Sequence, residues 1–449
     1  MPSKKSERAV CAYENHSQRF IIPFQPENYQ AQYHRIYNSR LEKLAPVLTE
    51  TVKEKYREIQ EKEECILLGT IVKHQQKRKS VLKQLADTAN VFVPPVRGLK
   101  LTDATDRLEL EDEMQTVQLY GVIKTHYIVT GVIVAVVGAE MRGGQFEVRD
   151  VIYPPLPLQP ERPLPTEDKF VMFVSGLEIA GLDSKDEPMA ERLLSTALLA
   201  DWLSGNCGSD EETDGLSARV CRLVVAGNSI AGSDQEKNFS QLVRALTFKK
   251  HQTPGVDAVK NLDRFLSRIT PHLPIDLMPG PYDPSNWMLP QQPLHCLLFP
   301  LASTSVNLNL QPNPYEAEMD GRLILGTAGN NLDDIYRYSE HRTAMEILHS
   351  TFLWQHLNPT GPDTQATFPY YDRDPFVLSR IDPDRRCPDV FFAGNTSGEW
   401  EYKLIEQDGR RTLLLTLPVF ALTGTVVLVN LRNLDVRTVQ FPGTNSNSL

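Results

Sequence analysis

Residues 154–165 read PPLPLQPERPLP, with six prolines in twelve positions. Proline has no backbone N–H and a fixed φ, so this stretch fits neither a helix interior nor a central strand. Such a segment is stiff and extended. It divides the 449-residue chain into bodies that must each build their own core. At roughly 150 residues per domain, the length allows two or three.

Before the proline segment the periodicity changes once. Residues 1–26, with Pro23 and Pro26, read as irregular. From Glu27 to Lys62 the pattern is helical. Leu41, Leu44, Leu48, Val52, Tyr56 and Ile59 recur three or four apart on one stripe. Glu58 and Lys62 form an i,i+4 pair, and Pro46 marks a kink or a second helix start. From Cys65 the period becomes two. Strands are expected at 66–72, 91–93, 117–123, 129–137 and 146–152. Gly69, Gly121, Gly131 and Gly138 fall in or beside them, where glycine permits bulges and tight bends. Short strands in such a span predict a small barrel, with the OB-fold as candidate.

After the proline segment, short apolar strands are expected at 170–174, 223–226, 275–278, 323–325, 390–392, 413–417 and 426–429. Helices are expected at 191–203, 241–250, 256–269 and 341–357, which makes this an α/β domain. Residues 207–215 read as a solvated loop, and 443–449 as a disordered tail. The expected organisation is therefore a multidomain α+β and α/β chain. It has an N-terminal extension and helix (1–62), an OB-fold barrel (63–153), a proline-rich linker (154–167), a two-sheet α/β domain (168–442) and the tail.

Charge and cysteine usage narrow the function classes. The formal charge is −10, which argues against a chain whose main task is gripping phosphates. The balance is uneven. Residues 1–100 hold 18 Lys and Arg against 11 Asp and Glu, leaving 29 against 46 for the remainder. Lys73, Lys77, Arg78, Lys79 and Lys83 could meet phosphates or serve as a nuclear-import signal. No stacking aromatics are interleaved with them, so a solvated face is the plainer reading. The six cysteines, at 11, 65, 207, 221, 296 and 387, show neither CxxC spacing nor a disulfide framework. Reduced intracellular thiols are expected. MPSKKSERAV has no apolar signal region. The longest apolar run, Val132 to Val137, is far short of the ~20 residues of a membrane span.

Ligands in α/β folds gather at the carboxyl ends of strands. Four expected strands end in glycine turns: Ser175-Gly176-Leu177, Gly227-Asn228-Ser229, Pro279-Gly280-Pro281-Tyr282-Asp283 and Gly394-Asn395-Thr396-Ser397. This layout resembles the calcineurin-like metallophosphoesterases, whose motifs are DxH, GDxxD, GNH with an acidic follower, and GHxH. In that resemblance Ser175 and Leu177 stand at the Asp and His of the first motif. Asn228 and Ala231 stand at the two Asp positions of the second. Pro281 and Tyr282 stand at the Asn and His of the third, with Asp283 keeping the acidic follower. Asn395 and Ser397 stand at the His positions of the fourth. A dinuclear site needs charged or imidazole ligands. Leu177, Ala231 and Pro281 offer none, so no catalytic residue, metal or cofactor is expected.

This degenerate pattern behind an OB-like barrel resembles the B-subunit family of replicative DNA polymerases, its delta branch most closely. The runs LKLTDATDRLELEDEMQTVQLYG, FVMFVSGLEIAGL, MPGPYDPSNWMLPQQPLHCLLFP and NPYEAEMDGRLILGTAGNNLDDIYRYS carry the resemblance. It continues through PYYDRDPFVL, FFAGN and VNLRNL, and departs at GLDSKDEPMAER. It implies a nuclear, non-catalytic scaffold subunit in DNA replication and repair. The implied partners are the Cys-rich C-terminal domain of the polymerase delta catalytic subunit and a third regulatory subunit. Contact with the sliding clamp would be indirect, contact with DNA weak or indirect, and no membrane is involved. The competing classes are a metal-dependent phosphoesterase or exonuclease, and an autonomous single-strand binder.

Other residues have plainer readings. His341, His349 and His356 read as one polar helix stripe. Asp333-Asp334 reads as a solvated helix start, and Ser175 as a turn residue lacking a nucleophile elbow. Trp202, Trp287, Trp354 and Trp400 read as packing residues.

Overall fold

The computed structural model describes residues 7–22, 33–56, 65–78, 100–141, 143–159, 163–180, 188–207, 211–231, 254–370, 373–379, 386–407 and 409–441. The expected strand 91–93, the expected helix 241–250, Ile59, Lys79, Lys83 and the 443–449 tail lie outside them. The chain forms two compact units. One comprises Met1–Ile21, Glu161–Asn330 and Pro388–Leu449, and the other Ile22–Pro160 and Asn331–Cys387. Residues 331–387, which the sequence pattern grouped with 168–442, thus belong to the same unit as the barrel.

The barrel closes in the order Cys65–His74, Arg107–Glu111, Thr116–Gly121, Gln145–Ile152, Ile133–Met141. All pairings are antiparallel except the parallel one between Thr116–Gly121 and Gln145–Ile152. This is the OB-fold strand order. The Arg107–Glu111 strand was missed because RLELE carries too much charge to read as strand. Its Leu108 and Leu110 are nevertheless buried. Both faces of the first six residues of Ile133–Met141 are buried. Ile133, Ala135 and Val137 pack against Leu44, Leu48 and Val52 of the helix His34–Lys55, while the alternate Val134 and Val136 are equally enclosed. Pro46 lies inside that helix without ending it.

Arg40 holds this unit together. It is 1% exposed. Its Nε donates to Asp374 Oδ2 at 2.8 Å, Nη1 to the Gly131 and Pro359 carbonyls at 2.9 and 3.0 Å, and Nη2 to the Gly361 carbonyl at 2.9 Å. Gly131 has φ +91°, and a Cβ there would sit 1.9 Å from the Pro359 oxygen, so only glycine lets the two carbonyls share one guanidinium. The same Oδ2 of Asp374 also meets His356 Nε2 at 3.0 Å. The Asn358 N–H donates to His356 Nδ1 at 3.0 Å, which fixes the ring proton on Nε2. Burial opposes ionisation of Asp374, but Arg40 and His356 outweigh it and hold the carboxyl well below the usual range. Burial, with Arg40 nearby, pushes His356 down to about 4.

The histidine stripe is corrected here. The helix Ala344–Leu353 contains only His349, with His341 before it and His356 after it. His341 bonds Ser339 Oγ and Ser350 Oγ. Asp334 is buried rather than solvated, and accepts from Thr364 Oγ1 at 2.5 Å. The solvated reading of the basic cluster is corrected at Lys73, while Lys77 is exposed as expected and Arg78 is half-buried. Lys73 is buried and donates to the Ile128 and Tyr338 carbonyls, with Asp106 3.8 Å away. Lys77 pairs with Asp103, and Arg78 with Asp363.

The other unit layers two six-stranded sheets. One runs Tyr13–Asn15, Tyr315–Met319, Arg322–Thr327, Val390–Thr396, Arg410–Pro418, Glu401–Gln407. The second runs Leu308–Leu310, Ile275–Met278, Val220–Ala226, Phe170–Val174, Thr425–Asn430, Val436–Gln440. Alternation in FVMFV sorts its two faces. Val171 and Phe173 join Ala317, Ile324, Phe392 and Leu415 between the sheets. Phe170, Met172 and Val174 face Leu199, Leu203, Leu262 and Leu266 of the helices Pro188–Leu203 and Pro254–Ile269. The strand Tyr13–Asn15 replaces the expected irregular terminus, and the helix Glu211–Arg219 occupies part of the expected 207–215 loop. Trp202 and Trp354 are buried, but Trp287 is 65% exposed and is not a packing residue.

Replacing Arg40 by Lys removes the fork and leaves carbonyls and Asp374 short of donors. The expected cost is about 3 kcal/mol or more in urea unfolding. His356 takes up its proton in the unfolded chain near pH 6.5 but in the folded chain only near 4. Its contribution is therefore complete above about pH 6.5 and lost as pH falls towards 4. The stability difference between the unsubstituted chain and His356→Gln should shrink by up to roughly 3 kcal/mol over that window, read from urea midpoints at successive pH values.

Candidate functional site

The carboxyl ends of the parallel strands in both sheets converge on a buried polar cluster. Ser175, directly after Phe170–Val174, is fully buried. Its Oγ donates to the Pro418 carbonyl at 3.0 Å and accepts from the Asn395 N–H at 2.9 Å. Asn395 lies near the end of Val390–Thr396 with φ 54°. Its Nδ2 donates to the Ala226 and Ala328 carbonyls, both at 3.0 Å, joining the ends of three strands. Asn228, at φ 52°, accepts the Tyr282 N–H at Oδ1, 3.1 Å away. Asparagine tolerates this left-handed backbone and supplies the hydrogen bond from the same residue.

Asp283 supplies the carboxylate of the cluster. Oδ2 accepts from the N–H groups of Gly280 at 2.8 Å and Ser229 at 3.2 Å, and Oδ1 from Ile230 at 3.0 Å. Burial pushes its carboxyl up to about 6, against the pull of those backbone donors. The turns after the first two strands also bond each other, from Gly176 N–H to Gly227 carbonyl at 3.0 Å and Glu178 N–H to Asn228 carbonyl at 3.1 Å. The backbones touch. A Cβ on Gly394 would lie 2.5 Å from the Ala226 oxygen, and one on Gly280 2.4 Å from the Asn228 nitrogen.

The structure therefore brings together Ser175, Asn228, Asp283 and Asn395, each engaged with backbone. It separates the others. Leu177 belongs to the core beneath the helices, Ser397 is exposed, and Ala231, Pro281 and Tyr282 are half-buried. Among the described residues no group of three or more His, Cys, Asp or Glu side chains is placed to hold a metal ion.

Sequence reasoning missed two sets of residues. Ala328 follows Arg322–Thr327, and its N–H donates to Asn313 Oδ1, while Asn313 Nδ2 donates to Gln291 Oε1. The runs PQQPLH and NPY carried this signal as amide-rich sequence at strand ends. The second set sits between the sheets. Arg222 Nη1 donates to Asp276 Oδ1 at 2.6 Å, Tyr315 Oη donates to Asp276 Oδ2 at 2.6 Å, and the Tyr13 ring lies 3.6 Å from the guanidinium. Opposite charges inside VCRLVVA and IDLM, two otherwise apolar strands, were the available signal.

Asp283→Ala would leave three buried N–H groups without an acceptor. The expected loss is roughly 3–5 kcal/mol, measured by denaturant unfolding at pH 7.5. Asn228→Ala, which loses one acceptor and the residue suited to positive φ, should cost about 2 kcal/mol.

Two families match the chain. The B-subunit family of DNA polymerases alpha and epsilon matches residues 171–400, and the DNA polymerase delta subunit OB-fold domain matches 32–151. The DNA polymerase delta small subunit of Oryza sativa is 35% identical over 97% of this chain and 98% of its own length. That of Arabidopsis thaliana is 36% identical over 98% and 97%. DNA polymerase delta subunit 2 of Drosophila melanogaster is 34% identical over 97% and 99%. With the OB-fold barrel, the two-sheet unit and these relatives matched end to end, the chain belongs to the DNA polymerase delta small-subunit family.

Proposed function

We propose that the chain is a nuclear, non-catalytic scaffold subunit of DNA polymerase delta, acting in replication and repair. In this reading it holds the Cys-rich C-terminal domain of the catalytic subunit and a third regulatory subunit. It meets the sliding clamp only indirectly and DNA weakly or indirectly. Its barrel corresponds to residues 63–153, and its phosphoesterase-like domain is drawn from 168–442. The observation that carries the non-catalytic reading is the state of the strand-end side chains. Ser175, Asn228, Asp283 and Asn395 stand where a phosphoesterase would present metal ligands, and each is hydrogen-bonded to backbone instead. A two-metal reaction needs ligands free to offset two cations. Asp283, the acidic survivor, already accepts three N–H groups.

The phosphoesterase reading loses support on this ground. The single-strand-binding reading loses support as well, because Lys73 is buried against carbonyls and Arg78 is half-buried against Asp363. What the fold retains is surface, and surface is what a scaffold uses.

Co-expression of the full chain with the catalytic subunit's Cys-rich domain tests the proposal. Co-elution in size exclusion at micromolar concentration is expected, and separate elution would refute it. The purified chain should release no phosphate or nucleotide from phosphodiester model substrates or DNA with added Mn2+. Metal-dependent hydrolysis that disappears in Asp283→Asn would instead revive the phosphoesterase reading.

A further inference from the structure

The segment Arg8–Tyr13 runs beside the approach to Val220–Ala226. The Ala9 N–H donates to the Ala218 carbonyl at 2.8 Å, and Arg8 Nη1 donates to the Ser217 and Val220 carbonyls at 3.0 and 3.1 Å. Further along, the Tyr13 ring packs on Arg222. Between these two fixed points Cys11 meets Cys221. Both pack in the apolar cluster between the sheets, and each thiol is the largest influence on the other's ionisation. Neither is in a disulfide. Cys221 is 2% exposed and lies 3.2 Å from the Phe170 carbonyl, whereas Cys11 is half-buried and open to a small solute.

We propose that Cys11 and Cys221 are a disulfide-forming pair, oxidised by hydroperoxide, that fastens the N-terminal strand to the helix-covered sheet. The two sulfurs are prepared for different roles. The Cys221 thiol beside it lowers the Cys11 thiol, with burial opposing and Arg222 assisting. The Cys11 thiol, then burial, holds Cys221 well above its ordinary value. Cys11 is thus the more readily ionised attacking sulfur and Cys221 the thiol that resolves.

The Cys11 sulfur attacks the peroxide O–O bond. An S–O bond forms, and the other oxygen leaves as water after taking a proton. The Cys221 sulfur then attacks the sulfenic sulfur of Cys11. The S–S bond forms, the S–O bond breaks, and the hydroxyl leaves as a second water with the Cys221 proton. Two thiols are oxidised by two electrons, and one hydrogen peroxide is reduced to two waters. The product would anchor the strand Tyr13–Asn15, which otherwise pairs over only three residues with Tyr315–Met319.

The test treats the full chain with hydrogen peroxide, denatures it in acid with excess N-ethylmaleimide, and maps peptides without reduction. The expected result is equal loss of the Cys11 and Cys221 adducts, with one Cys11–Cys221 cross-linked peptide gained per pair lost. The exposed Cys65 and Cys296 serve as internal references. In Cys11→Ser, Cys221 should survive peroxide as an alkylatable thiol. Recovery of both Cys11 and Cys221 as adducts overturns the proposal, whatever happens at Cys65 and Cys296. So does oxidation of Cys11 to sulfinic acid, or its cross-linking to any other cysteine.

Discussion

A parallel strand that ends inside a protein leaves carbonyl and N–H groups with no neighbour to receive them, and burial makes each one costly. Several strands of the two-sheet unit end at the same place. Everything around them depends on how those groups are satisfied. Here the answer is short polar side chains. Asn395 bridges the carbonyls that end two other strands, and Ser175 links the Asn395 N–H to Pro418. Asp283 gathers three N–H groups from two turns. The glycines follow from the same constraint, because turns this close leave no room for a Cβ at 280 or 394. The strand ends are in this way closed largely by side chains of the turns that follow them.

The barrel unit solves the same problem with charge. Arg40 collects the Gly131, Pro359 and Gly361 carbonyls and neutralises Asp374 with one side chain. A guanidinium can do this because its donors are rigid, planar and numerous. Asp374 in turn orients a neutral His356, whose second nitrogen takes the Asn358 N–H. Pro359, Gly361 and Asp374 are thereby tied to the helix His34–Lys55 across 319 to 334 residues of sequence.

Much of this was legible where one period dominates. The 41–56 stripe and the alternation in FVMFV both describe faces that the structure buries. Legibility failed where a residue serves two ends. RLELE hides a strand because its charged side chains alternate outward from two buried leucines. His341, His349 and His356 look like one stripe only if the helix continues, and it stops at Leu353. The glycine turns marked the strand-end cluster, but nothing in the sequence showed that Ala328 and Asn313 complete it. Those contacts depend on how the strands are ordered in the sheet, which local pattern does not encode. The assignment of residues 331–387 to the barrel's unit is a similar case, resting on partners such as Arg78 with Asp363.

The charge asymmetry also changes meaning in the structure. The first hundred residues carry an excess of Lys and Arg, which on sequence alone suggests an electrostatic surface. Yet Arg40, Lys73, Lys77 and Arg78 are each directed at a carboxylate or a carbonyl of their own unit. Burial pushes Lys73 down to about 8, although Asp106 pulls the other way. A cation in that position is held by its neighbours at the expense of its own solvation, and it cannot also release counterions from a phosphate backbone. These residues join barrel strands to the loops and helices that follow them.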